Sequence, residues 1–346
     1  MSASPNVDFS EPVDLFSQQT RNRRRSAWLI VGFILFFAWL GFGGDYIAYL
    51  YTQNAEPTKY HHTVPWFGAV MTLVAVGMAI FAWRAGAAEV LKSTGAREII
   101  DPQNDLETVY VNVVDEMTIA SGLPRPRTWI IEDPDPNAFS TGRGPNTAHV
   151  AVTEGLLQTV DRSELQAVIA HEMGHIKNLD VRLMTLLAAL VGTIVLLSDV
   201  LWRNMFRGRI GGGGGGGRKG GKKDGGALIL ILLVVWLVSW LLAPIIVRLM
   251  ALSVSREREY LADAMSAQFT RNPLALASAL EKIEHAAAPT KQIKRGTAHL
   301  CIADPLGRKV NAKEGWLAAR FGTHPPMALR VARLKAMGYR SLKATG

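Results

Sequence analysis

Two histidines flank a glutamate in the stretch His171-Glu172-Met173-Gly174-His175. On a helix, residues at i and i+4 stand one above the other on the same face, roughly 5–6 Å apart at Cβ. Both imidazoles can then reach one zinc ion at about 2.0–2.1 Å, while Glu172, one position round the helix, faces the water such an ion holds. The chemistry that suits this pattern is metal-assisted hydrolysis, most often of peptide bonds. Paired histidines also occur as ordinary helix residues, so the surroundings carry weight. Asp161-Arg162-Ser163-Glu164 has the form of a capping box, with Asp161 as N-cap and Glu164 at N3. Apolar Leu165, Val168, Ile169 and Ile176 follow at helical spacing. The motif therefore sits in a helix, where its geometry works.

A catalytic zinc site takes three protein ligands and keeps one position open. The best candidate for the third is Glu259 in Ser255–Asp263 (SREREYLAD), because Asp263 follows it by four residues on the same helix face. A ligating carboxylate and a second one a turn away suit a pair in which the latter accepts an N–H from a ligating histidine and fixes its tautomer. Glu257 is the rival ligand, but no acid sits four residues after it. Without the upstream motif this stretch would read as a solvated charged helix.

The segments HEMGHIKNLD (171–180), SREREYLAD (255–263), NAFSTGRGPNTAHVAVTEGLL (137–157) and FGTHPPMALRVARL (321–334) lie between paired hydrophobic spans. Together they resemble the HtpX family of membrane zinc endopeptidases, relatives of the CAAX prenyl endopeptidases. The likeness runs from about residue 27 onward. It implies a mainly α, multi-pass membrane protein with a small β-sheet and a gluzincin-type α+β metalloprotease domain, in a bacterial inner membrane with the active site on the cytoplasmic side. It further implies one zinc ion per chain and, as partners, unfolded or membrane protein substrates and the lipid bilayer. The activity implied is quality control of misfolded or damaged membrane proteins under stress. Prenyl-protein processing of the CAAX type is the alternative within the class, and it is set aside because those enzymes enclose their site with more spans than this chain shows.

With 346 residues, 49% of them hydrophobic, the chain can form a soluble core and several membrane spans. One cysteine, Cys301, leaves no internal disulfide framework. The net charge of +9 is read as basic residues flanking membrane spans, since no nucleic-acid motif accompanies it.

In chain order, residues 1–26 form a flexible basic N-terminus carrying Arg21, Arg23, Arg24 and Arg25. The apolar runs Ala27–Phe42 and Val64–Trp83 form a first transmembrane pair within 27–84, joined by Asp45–Thr63 with Lys59 as its one basic residue. The basic bias places the N-terminus and the chain after Arg84 in the cytoplasm. Residues 85–180 are the first part of a protease domain, with a helix over Leu106–Ile119 and short strands at Thr128–Ile131 and His149–Val152. Between those strands the resemblance places Asn137, Ala138 and Phe139 on an edge strand beside the cleft, where an extended peptide would bind by β-augmentation.

The runs Val181–Trp202 and Ala227–Met250 make a second hydrophobic pair within 181–250, and 251–346 completes the protease domain. His175 lies just before the first of these runs and Glu259 about two turns beyond the second. A hairpin would therefore bring both ligand segments to one membrane face. Its loop, 203–226, holds seven consecutive glycines (211–217) and the basic residues Arg203, Arg207, Arg209, Arg218, Lys219, Lys222 and Lys223 against Asp224 alone. If both runs span, this basic loop lies outside, against the usual bias; full spanning is preferred to a shallow dip. Gly216, Gly221 and Lys222 fall at phosphate-loop spacing, but Lys223 replaces the required Ser or Thr and no strand precedes. The loop is read as a flexible linker, with no nucleotide bound.

Asn272-Pro273 opens a further helix to about Ala287, and His324-Pro325-Pro326 leads into a last one, Met327–Met337, ended by Gly338. In the hydrolytic mechanism Glu172 takes the water's proton and passes it to the leaving amine. His171, His175 and Glu259 hold the metal, and Asp263 orients one of the histidines. The resemblance implies that His324, Arg330 or both steady the oxyanion. It also matches Asn178, which would help at the cleft, and Asp180, which would mark the membrane boundary. Other classes fit worse. A di-iron oxidase needs a second Glu-x-x-His besides Glu172–His175, and a transporter places its ionisable residues inside the spans. A non-catalytic metal-binding scaffold gives no reason for Glu172 and Glu259 to accompany both histidines.

Overall fold

A computed structural model describes residues 15–52, 60–190, 192, 256–286, 290–293, 297–303 and 325–344. The Gly-rich loop, His324 and most of the two later apolar runs lie outside them. The chain is mostly helical around one small mixed sheet. Helices α1 (Leu15–Thr52) and α2 (Trp66–Ser93) pair as a hairpin. They are followed by β1 (Arg97–Glu98), α3 (Asp105–Ser121), β2 (Arg127–Ile131), β3 (Ala138–Thr141), β4 (His149–Thr153) and α4 (Glu154–Thr159). Next come α5 (Arg162–Lys177), α6 (residues 180–190), α7 (Arg256–Thr270), α8 (Pro273–His285) and α9 (Met327–Ala344).

The hairpin closes tightly because glycines meet at its crossing. A Cβ on Gly41 would lie 2.7 Å from Gly68 Cα. Asp45 of α1 supplies the cap that Pro65 cannot, accepting the Gly68 and Phe67 N–H groups at 2.5 and 3.3 Å and the His62 Nε2 contact at 2.7 Å. Helix α1 starts twelve residues before the apolar run at Ala27, inside the stretch expected to be flexible. Docking explains the difference: Gln19 Nε2 donates to Lys177 O at 2.8 Å, and Asn22 Nδ2 donates to Asn178 O at 2.9 Å. Helix α6 packs Leu183, Leu186, Leu187 and Leu190 onto Leu29, Phe33, Ala75 and Ala79, so the third apolar run begins against the first two helices.

In the sheet, order β1-β2-β4-β3, β2 and β4 run parallel while β1 and β3 pair antiparallel to their neighbours. Among the described residues strand β3 is an edge. Its register sets Ala138 opposite Val152 and Phe139 opposite Ala151. The main core lies between the sheet and α3, α5 and α8, with Tyr110, Val113, Val150, Val152, Val168, Ile169, Leu276 and Leu280 all fully buried. Caps set the helix starts as the residue types predict: Asn104 for α3, the Asp161–Glu164 box for α5, and Asn272 before Pro273 for α8. Helix α9 runs on through Gly338, where termination was expected. A Cβ there would come within 2.8 Å of Leu274, so this glycine serves close packing of α9 on α8 and does not end the helix.

Candidate metal centre

Helix α5 carries His171, Glu172 and His175, and α7 carries Glu259 and Asp263. What brings them together is small residues where the helices cross. A Cβ on Gly174 would meet Ala262 Cα at 3.2 Å, and Ser266 Oγ donates to Ala167 O at 2.6 Å. With α7 held this close, Glu259 and Asp263, one turn apart, both turn toward the histidines, whereas Glu257 is exposed to solvent. The choice between the two glutamates thus follows from the face that Ala262 presents to Gly174.

His171 Nε2 and His175 Nε2 lie 3.2 Å apart. Glu259 Oε2 is 3.8 Å from the first and Glu259 Oε1 3.7 Å from the second. Three tetrahedral ligands at about 2.0–2.1 Å from one zinc ion stand roughly 3.3 Å from each other, so this triangle is nearly the right size. The outer nitrogens also fit. His171 Nδ1 is 3.0 Å from Asp263 Oδ1, and His175 Nδ1 is 3.2 Å from Asp180 Oδ2. Carboxylates at both Nδ1 positions favour protons there and leave the Nε2 lone pairs aimed inward. Two such lone pairs 3.2 Å apart call for a cation between them. In the metal-free protein burial alone would lower the His175 imidazole; the Asp180 hydrogen bond and the charges of Glu259, Asp180 and Glu172 override it and bring His175 up to about 9. A proton then occupies what a metal ion would displace.

Arg330 locks this arrangement from behind. Its Nε and Nη2 donate to the two Asp263 oxygens at 2.9 and 2.6 Å, Nη1 donates to Ile302 O at 3.0 Å, and Nη1 lies 3.4 Å from Glu259 Oε2. Burial would raise the Asp263 carboxyl, but the Arg330 charge and the His171 and Arg330 hydrogen bonds hold it below the usual carboxylate range. The resemblance gives Arg330 an oxyanion role; its side chain is completely buried, as those of His171 and Glu172 are. It positions Asp263, and its Nη2 also lies 3.4 Å from His171 Nε2. His324, the other candidate for that role, lies outside the described residues.

Glu172 is buried in the wall of a cleft with Ser140, His175, Asp180, Arg258 and Glu259. Ser140 Oγ donates to Glu172 Oε2 at 2.7 Å, which orients the carboxylate and leaves Oε1 for a water proton. Of the residues expected at the substrate edge, Ala138 and Phe139 lie on β3 and Asn137 just precedes it. Asn137, Ala138 and Phe139 are almost completely buried. Ala138 O already accepts the Ile302 N–H at 2.9 Å, and Asn137 Nδ2 donates to Ala303 O at 2.9 Å. The chain's own segment 301–303 therefore covers the start of β3, and Ser140 is the β3 residue that reaches the cleft.

Asn178 ends α5, and its Nδ2 contacts Met265 Sδ at 3.3 Å. Asp180 orients His175. Leu179, at φ 60°, turns the chain back after α5 so that Asp180 meets His175. Such a left-handed residue is costly for leucine, and no local sequence signal announces it. Ser140 and Arg258 were also missed; both lie in segments singled out for neighbouring residues.

Two imidazoles and a carboxylate converging as metal ligands, beside an unliganded carboxylate in an open cleft, define a metal-dependent hydrolase. The sequence profile of peptidase family M48 matches residues 103–338, and the chain belongs to that family of metalloproteases. It is 41% identical over 251 residues to a protease HtpX homolog of Dictyoglomus thermophilum, covering 72% of this chain and 75% of the relative. The HtpX homolog of Dictyoglomus turgidum is 37% identical over 326 residues, 94% of this chain and 96% of that protein. The crystal structure of S. mikatae Ste24p overlaps 93% of this chain and 67% of its own at 18% identity, with a TM-score of 0.43.

Proposed function

We propose that this metalloprotease is a zinc-dependent endopeptidase of gluzincin type, embedded in a bacterial inner membrane by several spans, whose catalytic groups act on the cytoplasmic side on misfolded or damaged membrane proteins. The observation that carries this reading is the His171–His175–Glu259 triangle with Glu172 in the same cleft. The donor set of two imidazoles and a carboxylate is the one zinc hydrolases use. When bound, the ion supplies Lewis acidity toward a scissile carbonyl and acidifies water. Glu172, steadied by Ser140, accepts the water's proton and returns it to the leaving amine. Asp180 and Asp263 keep the histidine Nδ1 protons in place, and Ser140 marks where an extended peptide can meet the free part of the β3 edge.

Helices α1 and α2, 38 and 28 residues long, exceed the roughly 20 residues needed to cross a bilayer. Trp28, Trp39 and Leu73 are 72, 76 and 71% exposed, an apolar surface that suits lipid. Tyr46, Tyr49, Tyr60, Trp66 and Phe67 gather where the hairpin turns, in the manner of an interfacial aromatic belt. Residues 181–202 and 227–250 supply the second pair in this reading, and 85–180 with 251–346 form the protease domain.

The test is hydrolysis of an unfolded protein by the detergent-purified chain loaded with zinc, beside Glu172→Gln and a chelated sample. Cleavage lost in both controls is the expected result. Peptide cleavage by Glu172→Gln at the normal rate would remove the general base, and failure to bind zinc would remove the central claim.

A further inference from the structure

The cleft holds one cation that the hydrolytic mechanism does not use. Arg258, next to the proposed ligand Glu259, lines the same wall and is only 3% exposed. Its contact with Asp180 is long, Nη1 to Oδ1 at 3.5 Å. Asp180 is already shared, its Oδ1 accepting from Asn22 Nδ2 at 2.7 Å and its Oδ2 facing His175. Among the described residues Arg258 Nε and Nη2 have no hydrogen-bond partner. A buried guanidinium presents five donors in a fixed fork and stays charged, so donors left empty are costly. Arg25 of α1 stands close enough for its charge to act on Arg258. Asp180 and Glu259 both act on the Arg258 charge, yet the one side-chain contact, to Asp180, uses Nη1 alone and leaves the Nε–Nη2 edge unanswered among the described residues.

We infer that Arg258 is a specificity-determining residue that takes a carboxylate of the peptide substrate on its empty Nε–Nη2 edge. A planar carboxylate fits that edge with two parallel hydrogen bonds, whereas a neutral carbonyl brings one oxygen to two donors. The carboxylate is either an acidic side chain near the scissile bond or the substrate's C-terminus. This rests on the reading that the cleft binds peptides.

The experiment measures binding, apart from turnover. The full chain carrying Glu172→Gln, zinc-loaded in detergent, is titrated with fluorescent peptides in matched pairs. In one series Glu replaces Gln at successive positions; in the other a free C-terminus replaces an amide. The carboxylate form of one pair binds about tenfold to a hundredfold tighter, as charge-assisted bonds to a buried partner predict. Which series shows the preference assigns the source. Arg258→Met in the same background brings the ratio to near one. If Arg258 only braced Asp180, the substitution would weaken both peptides of a pair equally and keep the ratio, which overturns the inference. Equal binding across every pair in the parent protein overturns it without any Arg258 variant, so a misfolded Arg258→Met leaves the test intact. Peptides that bind without carboxylate preference sink this inference alone, whereas no peptide binding to zinc-loaded protein sinks the endopeptidase reading with it.

Discussion

Asp180 Oδ2 lies 3.2 Å from His175 Nδ1, although Asp180 belongs to the next helix and is reached through a left-handed turn at Leu179. The carboxylate therefore sets the tautomer of a proposed metal ligand from outside the motif that contains it. Asp180→Asn is expected to keep the fold and to weaken zinc binding by about tenfold to a hundredfold, the usual cost of losing such a partner. Competition with a chromophoric chelator measures this. Unchanged affinity would return Asp180 to a merely structural place.

Glu259 and Glu257 lie two positions apart on α7, yet only Glu259 turns inward. Glu259→Ala is expected to lose zinc, and Glu257→Ala to retain one ion per chain. Metal stoichiometry of the two purified variants decides it, and the opposite result would move the ligand.

The α5–α7 crossing sets the metal triangle, and Gly174 sets the crossing. A Cβ at 3.2 Å from Ala262 Cα makes Gly174→Ala a small strain, while Gly174→Val forces the helices apart. Overpacking of this kind costs about 1–3 kcal/mol. Gly174→Val should lower the unfolding temperature and the zinc content together. A variant that unfolds earlier yet binds zinc normally would separate packing from the site.

His149 provides a pH test away from the metal. Burial, with help from the Arg127 charge, lowers its imidazole to about 4 from 6.5. Trp129 Nε1 donates to His149 Nδ1 at 3.1 Å, a bond that needs that nitrogen unprotonated. Between those two values the unfolded chain holds more protons than the folded one, so stability rises with pH. The contribution of neutral His149 is complete above 6.5 and disappears as the pH falls toward 4. Thermal unfolding of metal-free protein across this range should show a steeper acid loss than the His149→Phe variant. Parallel curves would exclude His149 as a source of the acid sensitivity.

Periodicity and spacing alone determined much of this protein. The Asp161–Glu164 box, the helical phase of His171 and His175, and the phase shared by Glu259 and Asp263 are local properties, legible because a helix repeats every 3.6 residues. The strands at Thr128–Ile131 and His149–Val152 were legible from their β-branched and aromatic residues, and α1 and α2 from sheer apolar length. Relationships across elements were decided only in three dimensions. The close approach of Gly174 to Ala262 set how near α7 brings Glu259 to the two histidines. The turn at Leu179 sent Asp180 to His175 and left Asn178 capping a helix. The Ile302–Ala138 pairing took up part of the β3 edge. Arg330 became a buried clamp on Asp263 because α9 packs against α7. In each case the outcome depends on which surfaces meet at van der Waals distance, a property of the packed chain that no window of sequence contains.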